Sequence, residues 1–467
     1  MMQPPASLWW STLNEAAAPG APLTGDQNVD VAIVGGGFTG LWTARELLRR
    51  DPLLSIAIIE KSVCGFGASG RNGGWASGLF PVSNNVVRRT YGDELFHHQR
   101  HVLNAAVAAL GAAAAADGID CDFSHGGTLQ VARSPLQAAR IGEEVEAARR
   151  DGIASEDFRW LTPHETRERV SMSSSHGASY SPHCARLHPA KLVRGLARTV
   201  QTLGGKIYEG TLVTRIVPGN SEHGPRVITT HGTVTARYVV RATEGFTSTL
   251  PGQRRELAPI YSLMIASSVQ SSGFWKSAGL TKHETFSDGR HLLVYGQRTA
   301  DNRFAFGGRG APYHFGSTVE ERFDNNQRVF DLLEQTLREL FPTLEGSRTH
   351  QWGGALAMPR DLSPSVHVDH VSGLVTAGGY TGDGVVLSFV SGHAIADLLT
   401  NPEKKTEMTR LPFVQRRSRQ WEPEPLRWIG VNAGIALATR ADATEQRRKR
   451  KSRITPLLDR LFDQDLD

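Results

Sequence analysis

Short apolar runs, each followed by a glycine turn and then by apolar residues at helical spacing, mark the start of this chain and return near its end. Val31 to Val34 are apolar and mostly β-branched, as a parallel strand buried on both faces requires. The turn Gly35-Gly-Gly-Phe-Thr-Gly40 follows, then a helical pattern to Arg50 whose packed face runs through Ala44 and Leu47. Ile56 to Ile59 read as the next strand, and Glu60 ends it. The loop Gly67-Ala-Ser-Gly-Arg-Asn-Gly-Gly74 comes seven residues later.

Beyond that loop the spacing predicts a long helix over residues 93–116, alanine-rich from 105, a strand over 126–132 and an amphipathic helix over 135–150. Residues 160–170 contain a helix start with Pro163 in the first turn, and Pro189 opens another helix. Strands near 206–209 and 211–217, a hairpin of 227–230 with 232–240, and the run Tyr238-Val-Val-Arg-Ala-Thr-Glu-Gly245 bring back the strand-to-glycine pattern. From Ile260 to Phe306 the period is two, the mark of an antiparallel sheet, with Met264, Leu292, Tyr295, Phe304 and Phe306 on it. A turn over 307–312 and one amphipathic helix over 318–341 follow. Leu374 to Val385 and a helix over 387–399 repeat strand, glycine turn and helix. After Asn401 the chain is charged and weakly patterned, apart from Trp421-Glu-Pro-Glu-Pro-Leu-Arg-Trp428. Residues 1–28 read as an extended arm that docks through Trp9 and Trp10.

The fold class that follows is α/β: a Rossmann-like nucleotide-binding domain in three pieces, with an antiparallel-sheet (α+β) substrate domain inserted between them. The expected divisions are 1–95, 186–255 and 345–410 for the nucleotide domain, 96–185 and 256–344 for the substrate or cap domain, and 411–467 for a C-terminal extension.

Composition narrows the class of protein. The chain has 467 residues, enough for two domains, with 39% hydrophobic and 21% charged residues, an ordinary globular balance. A net charge of +5 is too small for a dedicated nucleic-acid binder, and part of it sits in the run Arg447-Arg-Lys-Arg-Lys-Ser-Arg453, read as a solvated end. Three widely spaced cysteines, Cys64, Cys121 and Cys184, form neither a disulfide framework nor a zinc motif, so no metal is expected. Without a secretory signal or an apolar run of membrane length, the expectation is a soluble cytoplasmic protein.

The chemistry lies in the glycine turns. Gly35, Gly37 and Gly40 fit G-x-G-x-x-G: the first permits the tight turn, the second lets the backbone approach a pyrophosphate, and the third lets helix and strand pack closely. Pyrophosphate would sit at the helix N-terminus, where free N–H groups and the macrodipole favour negative charge. A carboxylate at Glu60 would accept hydrogen bonds from a ribose diol and repel a 2′-phosphate.

Six motifs together resemble the D-amino-acid oxidase-like flavin amine oxidoreductases, and within them the branch containing gamma-glutamylputrescine oxidoreductase. They are the first glycine turn with Glu60, the 67–74 loop, His188-Pro-Ala-Lys-Leu, Ala242-Thr-Glu-Gly245, Trp352-Gly-Gly354 and Gly378-Gly-Tyr-Thr-Gly-Asp-Gly-Val385, in the family's order. The resemblance implies an FAD-dependent oxidoreductase that acts on CH–NH or CH–NH2 groups. It implies that Gly35, Gly37, Phe38, Thr39 and Gly40 hold the pyrophosphate and that Glu60 and Lys61 meet the adenosine ribose. Ala68, Ser69, Arg71, Asn72, Gly73 and Gly74 would line the flavin side, and Val213 would meet the adenine through its backbone. Ala242, Thr243, Gly245, Gly379, Gly382, Asp383, Gly384 and Val385 would complete the cradle, the last four near the flavin pyrimidine. No histidine stands in the 67–74 loop where some relatives attach FAD, so the FAD is expected to be non-covalent. Where α-amino-acid oxidases of the family carry a carboxylate-binding arginine, this chain has Leu356, with Arg360 four residues on, which points to an amine substrate.

Trp352, Tyr380, Arg309 and His188 are the substrate-pocket candidates. Each also has an ordinary reading: core tryptophan, core tyrosine, surface-turn arginine and helix-start histidine. Asp383 either points to solvent or meets a cationic amine. The expected partners are a small-molecule amine and either oxygen or another electron acceptor, with no nucleic acid and no membrane span. Three functions remain open on the sequence: an amine oxidase, a dehydrogenase passing electrons to a quinone or carrier protein, and an FAD-binding protein without turnover.

Overall fold

The computed structural model describes residues 7–13, 19–309, 313–448 and 452. Gln27–Val34 is the centre of the first sheet, and its last four residues are buried. Gly232–Arg241 and Ile56–Ile59 flank it, both parallel. Lys206–Tyr208 extends the layer beyond Ile56–Ile59 and Leu374–Gly378 beyond Gly232–Arg241, again parallel. Three separated stretches of chain therefore build one parallel layer, as a Rossmann-like domain in pieces requires. Ser365–Asp369 closes one edge antiparallel, and Val213–Val217 with Arg226–Thr229 forms an antiparallel flap on Gly232–Arg241. Helices Phe38–Arg50, Pro189–Thr202 and Gly384–Thr400 pack on the layer, bringing Leu41, Leu196 and Val386 onto Ile33 and Ile58 in one core.

The second sheet has eight strands in the order Arg348–Met358, Ala258–Ser267, Phe304–Arg309, Val294–Arg298, Thr285–Asp288, Thr128–Val131, Ala178–Ser181 and Arg159–Leu161. All neighbours are antiparallel except Thr285–Asp288 with Thr128–Val131. Side chains alternate between its faces. One face sends Tyr261, Leu263, Ile265, Phe304 and Phe306 against Phe330, Leu333 and Leu337 of helix Gln327–Leu340. The other sends Met264, Ala266, Tyr295, Ala305 and Trp352 toward Trp9, Trp10 and the first sheet's loops.

Several expected boundaries move. Arg348–Met358 pairs with Ala258–Ser267 over ten positions, so the Trp352-Gly-Gly strand, allotted to the nucleotide domain, is an edge of the substrate sheet. The helix expected over 93–116 spans Asn84–Ala116 with a break at Gly92, and its second half, through Val102, Val107 and Leu110, packs on the nucleotide core, not in the cap. The single helix expected over 318–341 is one short 3-10 turn, Glu321–Asp324, and then Gln327–Leu340. Asn326 caps that helix by accepting the Val329 N–H, which fixes its start. Within the expected turn over 307–312, residues 307–309 continue a strand and 310–312 lie outside the described residues. The weakly patterned end contains a long helix, Leu426–Arg448, which closes on the substrate domain through Asp442 and Glu445; most of the basic run after it lies outside the described residues.

The arm docks as expected. Leu8–Ser11 forms one helical turn capped by Ser7, and Trp9 is buried between the His188 ring at 5.0 Å and Trp352 at 6.2 Å. Its Nε1–H donates to the Asn72 carbonyl at 2.8 Å. Trp9→Ala removes this packing and leaves that carbonyl unpaired, so it should cost about 3–5 kcal/mol in thermal or denaturant unfolding. Excess FAD should recover part of the loss.

Candidate functional site

Three glycine turns converge where the two sheets meet. In the first, Gly35 has φ +110°, and a Cβ there would lie 2.5 Å from the Ala242 carbonyl oxygen. A Cβ at Gly40 would run into the Gly35 carbonyl. Both positions therefore require glycine. Gly37 is the N-cap of Phe38–Arg50 and supplies no side chain to its N–H groups, which leaves those beyond Phe38 for an anion. Ser69 Oγ accepts the Phe38 N–H at 2.9 Å, which places the second loop directly over this helix start. Glu60 accepts the Gly36 N–H at 2.8 Å and the Ser62 N–H at 2.9 Å, and burial raises its carboxyl above the ordinary value. Lys61 is exposed and Val213 is half-buried at the start of its strand.

In the second turn, four successive carbonyls receive side-chain donors from elsewhere in the chain. Trp352 Nε1 donates to Arg71, Trp9 Nε1 to Asn72, and Gln297 Nε2 to Gly73 and Gly74, at 2.8, 2.8, 2.6 and 3.1 Å. The Asn72 side chain closes the loop on itself, donating to Ala68 and Ser69 carbonyls and accepting the Gly74 N–H. The buried Arg71 guanidinium points into the substrate domain, donating to Asp324 at 2.6 Å and to the Gly353 carbonyl at 2.9 Å. Burial raises the Asp324 carboxyl above its usual range, and Arg71 pulls it back.

In the third turn Gly378, Gly379, Thr381 and Gly382 all have positive φ. The turn is held by Glu244, which itself sits at φ +41° and accepts the Gly379 N–H at 2.8 Å and the Tyr380 N–H at 3.3 Å. Burial pushes the Glu244 carboxyl up to about 7, against the pull of those N–H bonds. Asp383 is the N-cap of Gly384–Thr400 without a side-chain capping bond, and Val385 is buried in the first turn. Ala242 donates its N–H to the Val34 carbonyl, Thr243 Oγ1 meets Thr247, and a Cβ at Gly245 would touch the Ala355 carbonyl.

The pocket candidates separate. Trp352 stands on the substrate face of its strand with its indole committed to Arg71. The Tyr380 ring is buried in the nucleotide core and its hydroxyl meets Thr39 Oγ1 at 2.9 Å, which ties the third turn to the first helix. His188 caps Pro189–Thr202, accepting the Lys191 N–H on Nδ1 at 3.1 Å and meeting Thr12 Oγ1 through Nε2 at 3.0 Å. Burial lowers it to about 4, and both ring nitrogens are engaged in these bonds. Arg309 pairs through its backbone with Ser262, and its side chain lies outside what the structure describes. Tyr295, Gln297 and Glu244 are not among the site residues expected from the sequence. The first two occupy alternating positions of one strand, and the third stands inside the Ala-Thr-Glu-Gly motif.

A strand–glycine turn–helix with an acid after the second strand, a second turn over its helix start and a third opening another helix suit one long ligand that bears phosphates and a polar ring. Residues 30–398 match the family described as FAD dependent oxidoreductase (DAO), and the chain belongs to it. It is 31% identical to a probable oxidoreductase, OrdL, of Rhizobium meliloti (strain 1021), over 87% of this chain and 91% of that one. It is 28% identical to gamma-glutamylputrescine oxidoreductase of Escherichia coli (strain K12), over 84% and 88%. The crystal structure of glycine oxidase from Geobacillus kaustophilus superimposes with a TM-score of 0.68 at 25% identity, covering 84% of this chain and 99% of that one. The protein is thus an FAD-dependent oxidoreductase.

Gly40→Ala forces apart the strand and helix that form the phosphate end, and the variant should purify without the yellow absorbance of flavin. A second expectation concerns pH. Above 6.5 His188 is neutral both folded and unfolded; as pH falls, the unfolded chain takes up a proton that the folded chain refuses until about pH 4. Stability should therefore fall between pH 6.5 and 4, by at most ~3 kcal/mol from this group. His188→Asn, which keeps a capping side chain, should flatten that part of the unfolding profile.

Proposed function

We propose that the chain oxidises a primary or secondary amine to an imine, which water hydrolyses to an aldehyde and ammonia or a smaller amine. When bound, FAD supplies the acceptor at flavin N5 for a hydride from the carbon that bears the nitrogen. The residues of the chain hold, orient and dry the substrate beside it. Gly35, Gly37, Gly40, Glu60 and the 67–74 loop would hold the cofactor, and the open start of Gly384–Thr400 would favour negative charge on its pyrimidine side. The wall opposite is the substrate face of the second sheet, with Met264 and Leu356 apolar and the Tyr295 hydroxyl on Ser262 Oγ at 2.8 Å. Oxidation requires the amine to enter neutral, and this weakly polar wall favours that form.

The observation that carries the amine reading is the state of Arg360, four residues on from Leu356. Arg360 is engaged by both Glu422 oxygens at 2.9 and 3.0 Å and stacks over Trp421 at 5.4 Å. Its Nε is therefore already held by a carboxylate of the chain. The relative named for gamma-glutamylputrescine bears the name of an amine. The cofactor is held without a covalent bond in this reading: Cys64, the nearest thiol in sequence, is buried beneath Gly36, and burial and the Glu209 and Glu60 carboxylates keep it protonated. Three free, buried cysteines suit the reducing cytoplasm.

The test is anaerobic bleaching of the bound flavin by a panel of polyamines, acylated polyamines, N-methyl amines and α-amino acids. Reduction by an amine class is the expected result. Reduction by simple α-amino acids alone would overturn the reading. Peroxide release in air then separates an oxidase from a dehydrogenase that uses another acceptor.

A further inference from the structure

A cavity of about 310 Å³ beside the 67–74 loop is walled by Trp9, Arg186, His188, Lys191, Gln297 and Asp301. Arg186 is 7% exposed, its Nε is sealed from solvent, and its guanidinium has no hydrogen-bond or ion-pair partner among the described residues. The carboxylates near it are engaged elsewhere. Asp122 takes Lys191 Nζ on both oxygens at 3.0 Å. Asp301 takes Arg303 Nε at 2.8 Å and the Thr299 hydroxyl at 2.6 Å. Burial lowers the Arg186 pKa; Asp122 pulls it back up, and the like charge of Arg298 pushes it down. A buried guanidinium is stable only against an anion, and its planar fork matches a carboxylate. Asp122 and Asp301 at the wall disfavour a dianion, which leaves a monocarboxylate as the fitting charge. The indole of Trp9 supplies apolar surface for a short carbon chain.

The cavity touches the cofactor loop at three points. Gln297 on its wall holds the Gly73 and Gly74 carbonyls, Trp9 holds that of Asn72, and Arg186 stands directly opposite Trp75, the residue after Gly74. We propose that this cavity binds a small organic monocarboxylate through the Arg186 guanidinium and that the 67–74 loop feels its occupancy. The carboxylate has two possible sources: the acid end of an elongated amine substrate, or a separate small acid acting as an effector.

Butyrate is the probe, and butyramide is its neutral counterpart. Equilibrium dialysis of labelled butyrate against the FAD-loaded protein, at fixed ionic strength, should show one saturable site per chain. Arg186→Gln should weaken it roughly tenfold to a hundredfold, the scale of a hydrogen bond to a charged group. Arg186→Lys, which keeps the charge and loses the fork, should fall between. Butyrate should raise the melting temperature of the wild type and not of Arg186→Gln. Arg186→Gln alone should melt no lower than wild type, because it removes an uncompensated buried charge. The absence of saturable binding, equal binding by Arg186→Gln, or binding of butyramide as tight as butyrate would overturn the proposal. The dialysis needs no amine, so it stands or falls apart from the amine reading. Once an amine is found, competitive inhibition by butyrate marks the substrate's acid end, whereas a change in kcat or in the flavin band without a change in KM marks an effector.

Discussion

Two sheets meet on a loop that must show one side to a cofactor and bury the other, and the buried side is made of carbonyls. Each such oxygen left unpaired would cost about 1–3 kcal/mol. From Arg71 to Gly74 every carbonyl has a donor, and none of the donors belongs to the loop. They are Trp352 and Gln297 from the substrate sheet and Trp9 from the arm. The cofactor cradle is therefore not a property of the Rossmann-like layer alone. It takes its shape only when the inserted domain and the arm have docked, and the pair of buried Arg71 with half-buried Asp324 adds a charged tie across the same boundary.

This contact also explains glycines that no phosphate needs. A Cβ at Gly73 would lie 2.6 Å from the Tyr295 ring, and one at Gly74, which has φ +69°, would strike Gln297 and the Leu187 carbonyl. On the other side, a Cβ at Gly353 would lie 2.6 Å from the Asp324 carbonyl oxygen, and Gly354 faces the Arg71 side chain at 3.6 Å. The Gly73-Gly74 pair and the Trp352-Gly-Gly354 motif, far apart in sequence, are two halves of one close approach. What reads in the chain as two separate motifs is one interface.

The parts legible in the sequence are those fixed by neighbours in the chain. Strand, turn and helix at residues 31–50, the helix Pro135–Arg150 and the helix opened by Pro189 follow from local period and capping, and the structure has them. What escaped depends on distant contacts. Gln297 lies 224 residues from the Gly73 carbonyl it holds, and nothing in its own strand marks it apart from its neighbours. The strand Arg348–Met358 pairs with Ala258–Ser267, a partner 90 residues back that its own glycine-interrupted pattern does not name. Arg186 gains its meaning only from its burial without a hydrogen-bond or ion-pair partner among the described residues.

Glu244 shows how local strain and distant need are balanced at such a site. Its backbone adopts a positive φ that an L side chain resists, and its carboxyl is pushed up to about 7 by burial. Both costs are borne at a position where the carboxylate binds the N–H groups of Gly379 and Tyr380, the start of the turn that opens helix Gly384–Thr400. A glycine at 244 would relieve the backbone and lose the acceptor. An alanine would keep the strain and lose the acceptor too. The third turn has three glycines at positive φ, so its backbone is free to adopt many conformations with little preference of its own. An outside acceptor is what selects one of them, and the cost at Glu244 is the counterpart of the freedom at Gly378, Gly379 and Gly382.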